Sequence, residues 1–125
     1  MKPTIIILTL FISLISFSQE KKCSDFKIGK FTYSDPDYAD LITERTDSLQ
    51  TDHYPKMGWK LTSKVKWLTA CKYEIEYIEV NIPKMESIIG TKYIIEIIDI
   101  NKNKILCRTE SDGIVIEKEM IKSIE

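Results

Sequence analysis

The chain has a single histidine, His53, and only four glycines, isolated at positions 29, 58, 90 and 113. No glycine-rich loop is present to cradle a phosphate, so nucleotide-binding loops are excluded and no cofactor is expected. A serine or cysteine hydrolase built around an imidazole would have to use His53. Charge of one sign is missing too. Eighteen basic residues stand against nineteen acidic ones, a formal net charge of −1. Nucleic acid and anionic membranes demand concentrated positive charge, so neither is an expected partner. Repeats, low-complexity tracts and linkers are absent, which leaves one domain in 125 residues.

The apolar run at the start, Ile5 to Phe17, is too short to cross a bilayer comfortably. It follows Lys2, and Ser16 near its end and Ser18 just after it are small residues placed for a signal-peptidase cut before Gln19. The sequence therefore predicts a signal peptide over 1–18 and a mature domain over 19–125, exported to the periplasm or the medium with no span left after cleavage. An uncleaved anchor is the competing reading. Cys23 follows Glu20-Lys21-Lys22, which is no lipidation site. Cleavage would remove one Lys and no acid, taking the net charge from −1 to −2.

Cysteine is scarce: Cys23, Cys71 and Cys107. An oxidising compartment favours a disulfide, and the odd count leaves one thiol over. Cys23–Cys71 is the expected pair. Cys71 falls at a hairpin end, and Cys23 would tether a segment that otherwise frays. Closing so long a loop contributes roughly 4 kcal/mol in the chain-entropy picture. Cys107 lies mid-strand between Leu106 and Arg108, where it reads as a small buried hydrophobe.

What is abundant is period-two alternation. Trp59, Leu61, Ser63, Val65 and Trp67 share one face, with Lys60, Thr62, Lys64 and Lys66 on the other. The pattern resumes with Cys71, Tyr73, Ile75 and Tyr77 inward and Lys72, Glu74 and Glu76 outward. A hairpin about Thr69 with an odd loop sets Val65 opposite Tyr73, Leu61 opposite Tyr77 and Lys64 opposite Glu74. Phe26 to Tyr33 reads as a strand with a bulge at Gly29, and Leu41 to Thr51 as one edge or strongly solvated strand. Ile82 to Gly90 reads as a helical turn or compact loop. Tyr93, Ile95 and Ile97 alternate with Ile94 and Ile98 in a well-covered strand, and turns at 101–104 and 111–113 lead to two more. The expected fold is all-β: about seven antiparallel strands in a meander, curled into a small barrel or sheet. An α+β fold with a C-terminal helix on the sheet is the alternative.

Candidate chemistry is thin. His53 sits in Asp52-His53-Tyr54-Pro55-Lys56-Met57, which reads as an exposed connection. With nearby acids it could serve a metal site or a hydrolase, and with Met57 a copper site. Asp35, Asp37 and Asp40 could meet a hard cation but lack the Gly and closing Glu of a calcium loop. Glu74, Glu76 and Glu79 read as a solvated face rather than a glycosidase pair. No catalytic residue and no metal ligand are assigned. Trp59, Trp67, Tyr73 and Tyr77 converge on the inner face of the central hairpin. They read first as core and second as the lining of a barrel cavity. The expected function is accordingly non-enzymatic: a domain that binds a small apolar ligand or a partner protein of the cell envelope.

The segments CSDFKIGKFTY (23–33), ITERTDSLQ (42–50) and WLTACKY (67–73) resemble a family of short exported proteins of the Bacteroidetes. Some members of that family carry the inherited name DNA topoisomerase IV. This chain is too short, too acidic and too plainly signalled for export to gate DNA. The resemblance implies no catalytic residue; it implies that Cys23 and Cys71 act together.

Overall fold

The computed structural model describes residues 21–124. The expected signal peptide and the cut before Gln19 lie outside the described residues. Eight strands follow one another: Gly29–Tyr33 (β1), Ile42–Arg45 (β2), Leu49–Tyr54 (β3), Trp59–Thr69 (β4), Lys72–Val80 (β5), Lys92–Asn101 (β6), Lys104–Ser111 (β7) and Ile114–Lys122 (β8). Each pairs antiparallel with its sequence neighbour, and β1 also pairs with β8, so the meander closes into a barrel with no free edge. The all-β expectation holds. The C-terminal helix of the alternative is absent, because the last segment carries β8 back to β1.

The eighth strand comes from the segment read as one solvated strand. Leu41–Thr51 breaks at residues 46–48, where Thr46 N–H bonds to the Leu49 carbonyl and Leu49 N–H to the Thr46 hydroxyl. The halves become β2 and β3, neither at an edge, and β2 buries Thr43 completely. The polar composition concealed an inward face.

The central hairpin has the expected facing in a shifted register. Trp67 pairs with Tyr73, Val65 with Ile75, Ser63 with Tyr77 and Leu61 with Val80. On the outer face Lys66 meets Glu74 and Lys64 meets Glu76. The turn holds two residues, Ala70 and Cys71, instead of an odd number. A bulge between Trp67 and Thr69 absorbs Leu68, and a second irregularity between Thr62 and Ser63 brings Leu61 to Val80, so the inward sets still meet. The same device acts in β6. A bulge between Ile97 and Asp99 lets Ile100 rejoin the core, while Ile94 stays exposed.

Phe26 does not begin a strand. Cys23–Phe26 is a 3-10 turn, capped where Lys22 N–H donates to the Asp25 carboxylate at 2.8 Å. The turn lies across one end of the barrel. Phe26 is 1% exposed there, and the Cys23–Cys71 disulfide, with Cα atoms 5.2 Å apart, fastens the turn to the β4–β5 connection. Gly29 then starts β1 at φ +147°, where a Cβ would lie 2.8 Å from Lys122 Cε. No bulge is needed; the face changes because the strand begins here. At the other end the Asp112–Gly113 turn takes φ of +52° and +79°, the left-handed pair a tight hairpin favours.

No helix among the described residues is long and apolar enough to cross a membrane. The outer wall carries exposed Lys64 and Lys66 on β4, Arg108 and Glu110 on β7, and Glu117 and Glu119 on β8. A lipid-facing barrel needs an apolar band there instead.

Candidate functional site: the barrel interior

With the disulfide end plugged, the interior opens only toward the other end. There the connections 34–41, 55–58, 81–91 and 112–113 gather. The 3-10 turn Pro83–Ile88 lies over this mouth, anchored by Gly90 N–H to the Tyr77 carbonyl at 2.8 Å. Met85 and Ile88 point from it into a cavity of about 330 Å³. Ligand pockets typically run upward from about 300 Å³, so this one suits a small molecule.

The cavity wall is mostly apolar: Leu41, Leu61, Ile75, Ile95, Ile116 and Met120 contribute. Alternation explains the choice, since each is the inward member of its strand or lies at the mouth. Between them stand Tyr33, Tyr54, Tyr73, Tyr77 and Tyr93. Tyr77 and Tyr93 meet edge to face at 6.1 Å, a geometry that fixes both rings. Burial raises the Tyr33, Tyr73 and Tyr77 hydroxyls above the ordinary tyrosine value, so all three remain donors at neutral pH.

A polar cluster occupies the wall formed by β1, β2 and β3. Thr43 Oγ1 donates to Asp52 Oδ1 at 2.7 Å. Tyr33 Oη lies 2.7 Å from Thr43 Oγ1. With the threonine proton committed to Asp52, the tyrosine is the donor in that contact. Gln50 Nε2 adds a longer bond to Asp52 at 3.4 Å. Asp52 keeps some surface because the cavity reaches it, yet it is remote from bulk water. Desolvation raises its carboxyl above the ordinary value of 3.8, and the Thr43 and Gln50 bonds oppose that rise.

Arg45 is a second interior ion, 2% exposed. Its guanidinium stacks 4.5 Å from the Tyr73 ring centroid and 4.8 Å from that of Phe31, with Trp67 at 5.9 Å. Nη1 reaches the Phe26 carbonyl at 3.5 Å; Nε and Nη2 have no partner. The only salt bridge among the described residues joins Arg108 to Glu117 on the outer wall.

The aromatic residues expected to line a cavity divide. Tyr73 and Tyr77 do line it. Trp67 lies below it, at 4.6 Å from Tyr73 in the layer nearest the plug. Trp59 stands at the mouth against Tyr54 at 5.9 Å, partly in solvent. His53 is not in a connection. It occupies β3, exposed and on the outer face, while its neighbour Asp52 points inward. Pleating thus separates the histidine from the nearest interior acid. Asp35 accepts the Asp37 N–H, and Asp40 accepts the Lys56 N–H. Among the described residues no three His, Cys, Asp or Glu side chains converge on a common point. Glu74, Glu76 and Glu79 face outward with the lysines. Thr43, Arg45, Gln50 and Asp52 escaped the sequence reading. Thr43 and Arg45 share the period-two phase of Leu41, while Gln50 and Asp52 fall in the opposite phase beyond the turn at 46–48, and polar identity hid both pairs.

No family model, curated protein or solved structure matches this chain.

Proposed function

We propose that this chain is a non-enzymatic binding barrel of the cell envelope or medium, whose ligand is a small and largely apolar molecule held in the interior cavity. One observation carries the reading. The barrel is plugged at one end and open at the other, and it encloses about 330 Å³ walled by aliphatic and tyrosine side chains. Concave, mostly apolar space of this size with a few convergent polar groups is the usual form of a small-molecule site. Export is supported by the signal-like run at 5–17 and by the disulfide, which persists in oxidising compartments. The resemblance to short exported Bacteroidetes proteins belongs to the same proposal.

A thermal-shift screen of the disulfide-bonded protein against small alcohols, acids and aromatics tests it. A ligand at a hundred times its Kd stabilises by about 2.7 kcal/mol, worth about 10 °C in a domain of this size. Saturable shifts from apolar molecules are expected, unchanged in His53→Ala. Stabilisation only by transition metals, lost in His53→Ala, would favour a metal site instead.

A further inference from the structure

The interior holds a cation that its surroundings leave unmatched. Arg45 is buried, and no carboxylate lies within 4.0 Å of it among the described residues. A guanidinium in that position is costly unless paired. Aromatic stacking on Phe31 and Tyr73 offsets part of the cost and leaves the N–H edge unused. The identity of the unused atoms matters. Nε and Nη2 form one edge of the guanidinium, the edge that grips a carboxylate with two N–H groups. This chain shows that grip on its own surface: Arg108 Nε and Nη2 hold Glu117 Oε2 at 3.1 and 3.0 Å. Trp67 Nε1, in the same layer, is a third buried donor without a partner. Among the described residues, three of the four unpartnered buried side-chain atoms are therefore donors on Arg45 and Trp67, and an acceptor-rich group would satisfy them.

Arg45 is not itself among the cavity-lining residues and lies behind two that are. The ring it stacks on, Tyr73, lines the cavity, and so does its cross-strand partner Gln50. Gln50 is held there by a single long bond to Asp52, and its Oε1 has no partner. Its side chain is thus the least constrained element of the floor. The other interior ions are Asp52, already bonded to Thr43 and Gln50, and Lys118 near the mouth, above the Tyr38 ring at 4.2 Å. Two cations to one acid favour a negative ligand over a positive one.

From this geometry we infer that the ligand is an amphipathic organic acid, its apolar body among the cavity's aliphatic and tyrosine side chains and its carboxylate on the Nε–Nη2 edge of Arg45. The inference rests on the cavity reading above and adds the class of the ligand and the direction in which it enters.

The test compares octanoate with 1-octanol by calorimetric titration of the disulfide-bonded protein, in wild type and Arg45→Met. Hydrogen bonds to a charged group predict octanoate binding about ten- to a hundredfold tighter than octanol in wild type. In Arg45→Met the acid should fall to the level of the alcohol or below, while alcohol binding persists. Removing an unpaired buried charge should also leave the melting temperature of the ligand-free variant at or above that of wild type. Equal affinity for acid and alcohol in wild type overturns the inference and leaves the cavity reading standing. That comparison needs no variant, so a misfolded Arg45→Met cannot obscure it. Acid selectivity that survives Arg45→Met assigns the carboxylate elsewhere and also overturns it. Binding of neither molecule overturns the cavity reading itself.

Discussion

At the scale of single residues, the interior sets two titratable groups against their surroundings. Asp52 has its carboxyl raised by desolvation. A raised acid is protonated more readily in the folded chain than in the unfolded one. Its contribution to stability is therefore greatest below the ordinary value of 3.8 and declines as pH rises through the folded value. Asp52→Asn, which removes the ionisation, should melt higher than wild type at neutral pH, with the gap narrowing toward pH 4. Melting curves across that range check this; a gap that widens on acidification would reverse the sign. Cys107 is the second group. It is buried beside Met120, Sγ to Sδ 3.7 Å, and burial pushes its thiol up to about 11. It also lines the cavity, so an aromatic disulfide reagent should label it slowly in native protein and fast after unfolding. Fast labelling of the native protein would contradict the packing.

At the scale of elements, the central hairpin decides which residues matter. Tyr73 is 2% exposed and Lys64 faces water, so Tyr73→Ala should cost about 3–5 kcal/mol and Lys64→Ala less than about 1 kcal/mol in denaturant unfolding. Equal losses would mean the strands face the other way. This hairpin was legible in the sequence because Trp, Leu, Val, Tyr and Ile alternate with Lys and Glu along most of both strands. Its register was not. The bulge at Leu68 costs one unpaired residue, and no residue type announces it. The β2–β3 pair was illegible for a different reason. Inward Thr43, Arg45, Gln50 and Asp52 are polar, so hydrophobicity reports the wrong face, and the turn at 46–48 uses Thr-Asp-Ser without Gly or Pro. The candidate site inherits that blindness: of its tyrosines only Tyr73 and Tyr77 could be read from the sequence, and its ionic floor could not.

At the scale of the whole molecule, the disulfide and the barrel divide the labour. Closure through β1 and β8 removes every edge, and the plug at residues 23–26 seals one end. Cys23 and Cys71 are 48 residues apart, so their bridge contributes about 4 kcal/mol by restricting the unfolded chain. Cys23→Ser with Cys71→Ser should lower stability by about that amount, measured by denaturant titration. A change below about 1 kcal/mol would show that the plug holds without its fastening. What remains is a vessel with one opening, and the central claim is that small apolar molecules enter it. The most direct measurement is a methyl-resolved NMR titration of the ligand-free protein with 1-octanol. Saturable shifts should appear at Leu61, Ile75, Ile95 and Met120 inside the barrel, and be negligible at Leu68 and Ile94 on its exposed surface. Shifts confined to the outer surface, or none at saturating octanol, would contradict a ligand-binding interior.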